Sequence, residues 1–361
     1  MTVPNLSIFS SDRFSSDRLP WAGFIAALVC LALEALILTL QPRFISGLDF
    51  TVSNKRQMMT DPSRQEDVLI LGDSRFFSIR PSIVDQAFGG SHAVTNYTWP
   101  FAGVETVDYF LEAYLRYKKP PKAILAGWMP ESFAVSAERM SVTADPLYRT
   151  RLFNVVPTVP LATRFARDGH WGMLWDLFEY RALPPSAHHR ARLIPFVLSS
   201  VGAEPATIPD PEDRRITAEY QGSQSFLLYR DEVASPDAVS DYGKAAGALK
   251  LDAALGNLPP LRRFLERAAA NGIRVILFNV PMPVGLYQRF DELGVIAKYD
   301  EVIAGLRQEF ENFEVIEPAI QVYPDEHFAD VGHMNGRGDQ QFASHYGPAM
   351  TRWLEEHGSV D

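Results

Sequence analysis

From Asp67 onward, short runs of consecutive apolar residues alternate with stretches whose apolar residues recur every three or four positions. The runs are DVLIL (Asp67 to Leu71), KAILAGW (Lys122 to Trp128) and RVILFNV (Arg274 to Val280), and the shorter or polar-interrupted segments AVTNY (Ala93 to Tyr97) and Phe313 to Ile316 read as a second and a last strand. Such runs mark strands buried on both faces, which belong to parallel sheets covered by helices. The intervening patterns supply the helices. Val104, Val107, Phe110, Leu111, Tyr114 and Leu115 share one helical face, as do Leu261, Phe264, Leu265 and Ala268 ahead of an Asn271-Gly272 stop. Phe342, Tyr346, Ala349, Met350 and Trp353 mark a final helix. The expected fold is α/β, a three-layer α/β/α sandwich around a mostly parallel sheet.

Two regions escape the alternation. Residues 131–255, rich in Pro, Arg and aromatics, read as a partly helical insertion. It leaves the carboxyl end of the third strand, where open parallel sheets bind ligands, and is expected to serve as a lid or acceptor-binding region. Trp21 to Leu40 is 20 residues long with one charge, Glu34, which matches the ~20 residues a helix needs to cross a hydrocarbon core. A cleaved signal peptide is the competing reading, but its apolar core is usually shorter and no Ala-x-Ala-like site precedes Gln41-Pro42-Arg43. The expected division is a cytoplasmic N-terminus over residues 1–20, a transmembrane helix over 21–40, a polar linker over 41–65 and one domain over 66–356.

Flanking charge does not orient the span, since Arg13 and Arg18 face Arg43, Lys55 and Arg56. Glu34 inside it points to a partner helix in the membrane, or else to a protonated or snorkelling side chain. The only cysteine, Cys30, lies in the same run, so the remainder of the chain forms no internal disulfide. A net charge of −10 over 361 residues, with no long Lys/Arg cluster, argues against nucleic-acid binding.

The chemistry concentrates in two short motifs. Gly72-Asp73-Ser74-Arg75 directly follows the first strand, and Asp330-Val331-Gly332-His333 directly precedes the last helix. A serine hydroxyl is a poor nucleophile at neutral pH and needs an imidazole to take its proton and a carboxylate to hold that imidazole. Ser74, His333 and Asp330 supply these three groups, and Gly72 is expected to permit the tight turn before Ser74. The plainer reading of GDS is a helix cap, with Asp73 or Ser74 accepting from the next amides. Arg75 either binds an anionic sugar or phosphate or forms a local ion pair. Asp325, His327, Asp330 and His333 are also metal-ligand types, but that reading leaves Ser74 without a role, and no metal or other cofactor is expected. His170, His188 and His189 lack partners at ligand spacing, and Arg337-Gly338-Asp339 reads as the start of the last helix.

In order, spacing and setting, these motifs resemble those of the SGNH (GDSL-like) hydrolase superfamily over roughly Asp67 to Leu354, with the insertion unmatched. The resemblance implies a flavodoxin-like sheet and a covalent acyl-Ser74, with His333 as proton carrier and Asp330 as its orienter. It also implies an oxyanion hole from the Ser74 amide and a glycine after the second strand, best matched by Gly103 in Trp99-Pro100-Phe101-Ala102-Gly103. The family's third donor is an asparagine in a Gly-x-Asn-Asp block after strand three. This chain has Gly127-Trp128-Met129-Pro130 there, which leaves Asn96 or Asn279 as substitutes unless both are buried structural amides.

The apolar N-terminal run, the GDSR motif and the insertion after an aromatic-Pro strand end resemble a narrower group, the exported SGNH-like proteins of bacterial cell envelopes. Those proteins work beside membrane-bound O-acyltransferases. The implied function is transfer of a small acyl group, with acetyl expected, between an acyl donor and a carbohydrate polymer, by a domain anchored outside the cytoplasmic membrane. Water as acceptor makes the same site an esterase. The alternative from another class is a non-catalytic accessory protein that supports an integral membrane O-acyltransferase.

Overall fold

The computed structural model describes residues 58–99, 102–133, 156–182 and 258–358, with scattered positions elsewhere. Contacts divide the chain into two units. One comprises Met1–Ser46 and Arg181–Pro209, and the expected N-terminus and membrane span fall in it, outside the described residues except for Ile25, Leu28, Val29 and Ala32, which are helical and exposed. Among the described residues no helix is long and apolar enough to cross a membrane. The other unit comprises Gly47–Tyr180 and Asp210–Asp361 and holds everything that follows except Arg181 and Ala182.

Its centre is a five-stranded parallel sheet of β1 (Val68–Leu71), β2 (Val94–Asn96), β3 (Ala123–Ala126), β4 (Arg274–Leu277) and β6 (Phe313–Val315), in the spatial order β2-β1-β3-β4-β6. The registers Ile70 to Asn96 and Leu71 to Ala126 align the carboxyl ends of the first three strands. A separate pair joins the two-residue strands β5 (Met282–Pro283) and β7 (Val322–Tyr323), with α6 (Val284–Glu292) directly after β5. Successive side chains on a strand point to opposite faces, and both faces are covered. Leu69, Leu71, Ile124, Ala126, Val275 and Leu277 belong to one apolar cluster, together with residues of α2 (Val104–Tyr117), α5 (Pro259–Ala270) and α7 (Val295–Glu309). Val68, Ile70, Leu125, Ile276 and Phe278 belong to a second, with residues of α1 (Pro81–Ala87) and α8 (Gly336–His357).

The segment read as a polar linker is not all linker. Met58 and Met59 are buried in the first cluster and Lys55 is 1% exposed, its ammonium donating to the Thr98 carbonyl and resting 4.7 Å from the centre of the Phe77 ring. Its apolar stem and two neighbouring methionines bury enough surface to dock this stretch despite its polar composition. Burial pushes the Lys55 ammonium well below the usual lysine range.

The described part of the insertion contains α3 (Thr158–Arg167) and α4 (Trp171–Ala182), the residues beside them over 156–170, the turn at 131–133 that opens it, and the single positions Val233 and Leu255. A buried ion network docks α3. Arg164 is 1% exposed, and its guanidinium donates to Asp108 and Glu112 of α2 at 2.7 Å each and to Asp168. Arg267 of α5 reaches Asp108 and Glu112 at 3.1 Å. Burial disfavours the Glu112 carboxylate, but its bonds to Arg167 and Arg164 outweigh that and hold it at about 2. Removing one member of such a network strands charges already taken out of water. Arg164→Ala is expected to cost about 3 kcal/mol of unfolding free energy, read as a lowered urea midpoint at unchanged slope; Arg267→Ala, on a more exposed side chain, is expected to cost less.

Candidate active site

Ser74 sits three residues beyond the end of β1, on a 3-10 turn spanning Ser74–Ser78. In the strand order β2-β1-β3, the chain leaves β1 toward β2 and later returns on the other side as β3. That reversal opens a crevice at the carboxyl ends of β1 and β3. Ser74 stands at it from one side, and the 3-10 turn Pro130–Phe133 that follows β3 from the other.

Gly72 is needed for packing rather than for backbone freedom. A Cβ there would lie 2.7 Å from the Phe76 ring, and one on Gly127 would lie 1.7 Å from the same ring. The two glycines form a slot that the 1% exposed Phe76 fills, which holds the turn carrying Ser74 down on the sheet edge. The cap role falls to Asp73, whose side chain accepts from the Arg75 amide at 3.0 Å. The Ser74 hydroxyl is thereby left for another partner.

That partner is His333. Ser74 Oγ lies 2.8 Å from His333 Nε2, and His333 Nδ1 lies 2.8 and 3.0 Å from Asp330 Oδ2 and Oδ1. An ionised carboxylate only accepts, so Nδ1 carries the proton it donates to Asp330, and Nε2 is left to accept from the serine hydroxyl. The loop is a narrow turn closed by the Phe328–Met334 bridge and by the Ala329 amide donating to the His333 carbonyl at 2.8 Å. Inside it the amides of Gly332 and His333 both donate to Asp330 Oδ1 at 2.8 Å. Burial raises the Asp330 carboxyl, but the His333 contact and the two amides more than offset this and hold it below its ordinary value. Directly after the loop, Asn335 caps α8 by accepting from the Arg337 and Gly338 amides.

The two halves of the site are 259 positions apart in the chain and are clamped from the side of α8. Arg80, just past the Ser74 turn, pairs with the buried Asp339 in the first turn of α8, and its amide donates to the Tyr346 hydroxyl at 2.9 Å. Burial raises the Asp339 carboxyl and Arg80 opposes that shift.

Arg75 is committed within the protein. Its guanidinium makes a forked contact to Asp73, reaches Glu131 at 3.2 Å, and lies 3.4 Å from the Ser132 hydroxyl. Of its two sequence readings the geometry fits the ion pair. Its stem also supports the histidine loop, since a Cβ on Gly332 would lie 3.1 Å from Arg75 Cδ.

Asn96 does not serve as an oxyanion donor. It is fully buried, its amide group donating to the Phe76 and Ile79 carbonyls at 2.9 and 3.0 Å while its oxygen accepts from Thr98. Both hydrogens are spent on shaping the turn behind Ser74. Asn279 is likewise spent, donating to the Tyr299 hydroxyl and the Ala319 carbonyl and accepting from the Trp128 amide. The Ser74 and Gly103 amides make no hydrogen bond among the described residues, and Gly103 caps the N-terminus of α2 beside Ala102 of the cavity wall.

The cavity over these groups has a volume of about 350 Å³, and Glu131, Ser132 and Val331 are in its wall. Of these, Val331 is visible in the sequence only as a spacer of the Asp330–His333 motif and Glu131 only as the start of the insertion, and Ser132 carries no signal. The four-residue metal set does not converge. Asp325 accepts from the Gly285 amide, His327 packs edge-on against Tyr323, and among the described residues no three ligand-type side chains could hold one ion. His170 lies 3.6 Å from Glu105; His188 and His189 are outside the described residues. No known protein-family model matches the chain, and a search of curated proteins finds no match.

Two outcomes follow from this geometry. Gly127→Ala is expected to destabilise the fold by about 1–3 kcal/mol through overpacking, with Phe76→Leu in the same chain recovering part of the loss in a denaturant titration. The stabilisation carried by the lowered Asp330 carboxyl is present above its ordinary value of 3.8 and is lost as pH falls through its lower folded value. Asp330→Asn is therefore expected to flatten the acid side of a melting-temperature profile below about pH 4.

Proposed function

We propose that this chain is a serine acyl-transfer enzyme of the SGNH type, built on a flavodoxin-like α/β/α sandwich. The observation that carries the reading is the continuous relay from Ser74 Oγ to His333 Nε2 at 2.8 Å and from His333 Nδ1 to Asp330 at 2.8 Å, at the crevice between β1 and β3. The strand order β2-β1-β3-β4-β6 supports the flavodoxin-like layout.

Attack of Ser74 Oγ on an acyl carbonyl forms the C–O bond while His333 Nε2 takes the hydroxyl proton, and Asp330 stabilises the imidazolium. The carbonyl oxygen becomes an oxyanion that in this reading accepts from the Ser74 and Gly103 amides, neither of which is hydrogen-bonded among the described residues; loss of one such donor typically costs on the order of 10²–10³ in rate. Collapse expels the leaving group, which takes the proton from His333, and leaves acyl-Ser74. An incoming hydroxyl then gives its proton to His333 and attacks the acyl carbon, and the proton returns to Ser74.

The acceptor in this reading is a carbohydrate hydroxyl, the acyl group is small with acetyl foremost, and water in the same place gives the esterase reaction. The apolar run at residues 21–40 anchors the domain on the outer side of the cytoplasmic membrane, with Glu34 available to an integral membrane O-acyltransferase. A fluorophosphonate probe is expected to label Ser74 in the wild type and to fail with Ser74→Ala. His333→Ala is expected to slow labelling by on the order of 10³-fold or more. Full polymer acylation in cells carrying Ser74→Ala would leave the chain as an accessory protein instead.

A further inference from the structure

We infer that this site discriminates by charge, taking neutral or cationic acyl donors and acceptors and rejecting anionic ones, with Glu131 as the residue that sets the preference. The inference rests on the acyl-transfer reading and deepens it. Among the described residues that line the cavity, three carboxylates, Asp73, Glu131 and Asp330, stand against one guanidinium, Arg75. Arg75 cannot serve as a receptor for a carboxylate or phosphate while it is saturated from two sides. Asp73 holds it in a fork, Glu131 lies 3.2 Å from its Nη1, and the three side chains are only 8–11% exposed. An anionic ligand would have to displace one of these carboxylates, leaving it buried and unpaired.

The described residues therefore present a net negative wall. The Asp73–Glu131–Arg75 cluster carries one excess negative charge, and Asp330 adds another whenever His333 is neutral. In a partly buried cavity a further negative charge meets repulsion that bulk water does not screen away. A cation placed there is favoured for the same reason. Glu131 is the member best placed to set the preference: it enters from the turn after β3, whereas Asp73 caps the turn that carries the nucleophile.

The experiment uses the full chain and three acetyl thioesters that differ in the charge of the thiol: thiocholine, 3,3-dimethylbutanethiol and 2-mercaptoethanesulfonate. Thiol release is followed, and Ser74→Ala serves as the blank. The acetyl group and the type of bond broken are the same in all three, and the thiols' differing leaving-group abilities are common to wild type and variant, so the change in the kcat/KM ratio on Glu131→Gln or on added salt reads the charge of the site. The neutral ester is expected to exceed the sulfonate by on the order of tenfold or more, and the cationic ester to be at least as good as the neutral one. Glu131→Gln is expected to shrink the neutral-to-anionic ratio several-fold, and Glu131→Asp, which keeps the charge, to preserve most of it. Raising the salt of the wild-type assay to about 0.5 M is expected to shrink the ratio as well, which reads the same property without a variant. Equal Ser74-dependent turnover of the three esters, or a ratio that neither Glu131→Gln nor salt moves, overturns the inference and leaves acyl transfer standing. Absence of Ser74-dependent turnover of all three, with no fluorophosphonate labelling, overturns both.

Discussion

The docking of the last helix against the first strand's outgoing turn is the contact on which the rest of the site depends. Ser74 and His333 belong to opposite ends of the domain, and neither approaches the other through local sequence. Three contacts bring them within a hydrogen bond: the Arg80–Asp339 pair, the Tyr346 hydroxyl on the Arg80 amide, and the Phe342 and Tyr346 rings packed against Phe278 at the end of β4. A charged pair alone would be worth little at a surface. Here Asp339 is buried and the aromatic rings exclude water around it, so the clamp is stiff as well as attractive.

Each half of the site is also stiffened from within. On the Ser74 side the Phe76 ring fills the slot left by Gly72 and Gly127, and the Asn96 amide ties the same turn to the end of β2. On the His333 side the Asp330 carboxylate, which pairs with the imidazole, is itself held by two amides of its own loop, so Asp330 fixes its loop backbone and His333 together. Arg75 lies between them, paired with Asp73 below and in contact with Gly332 above. Under the acyl-transfer proposal, preorganisation of this kind is what lets a weak nucleophile act without rearrangement at the moment of reaction.

Much of the fold was legible in the chain. The five runs all became strands of one parallel sheet; β1 (VLIL) and β3 (AILA), buried on both faces, carry no polar residue, whereas β2 (VTN) and β6 (FEV) are legible despite theirs through the alternation with helices. The helix α7 went unread although Ile296, Tyr299, Ile303 and Leu306 carry the required spacing, and the paired strands β5 and β7, of two residues each, are too short to leave a pattern. The docked stretch around Met58 and Met59 was read as linker because two buried methionines do not offset the polar residues around them in a composition count. The glycines were recognised, but the reason for Gly72 was not: a turn and a ring slot call for the same residue, and only the position of Phe76 separates them.

The sequence by itself determined the alternation of elements, the two motifs and the residue types able to move a proton, since these follow from local periodicity and side-chain chemistry. Which amides remained available, which carboxylates surrounded Arg75 and whether residue 333 reached residue 74 were decided by tertiary structure alone. Hydrogen-bonding capacity is finite, and a donor such as Asn96 is free for chemistry only if packing has not already used it. The fate of Asn96 and of Arg75 therefore turned on neighbours that lie far off in the chain, among them Glu131, 56 positions beyond Arg75.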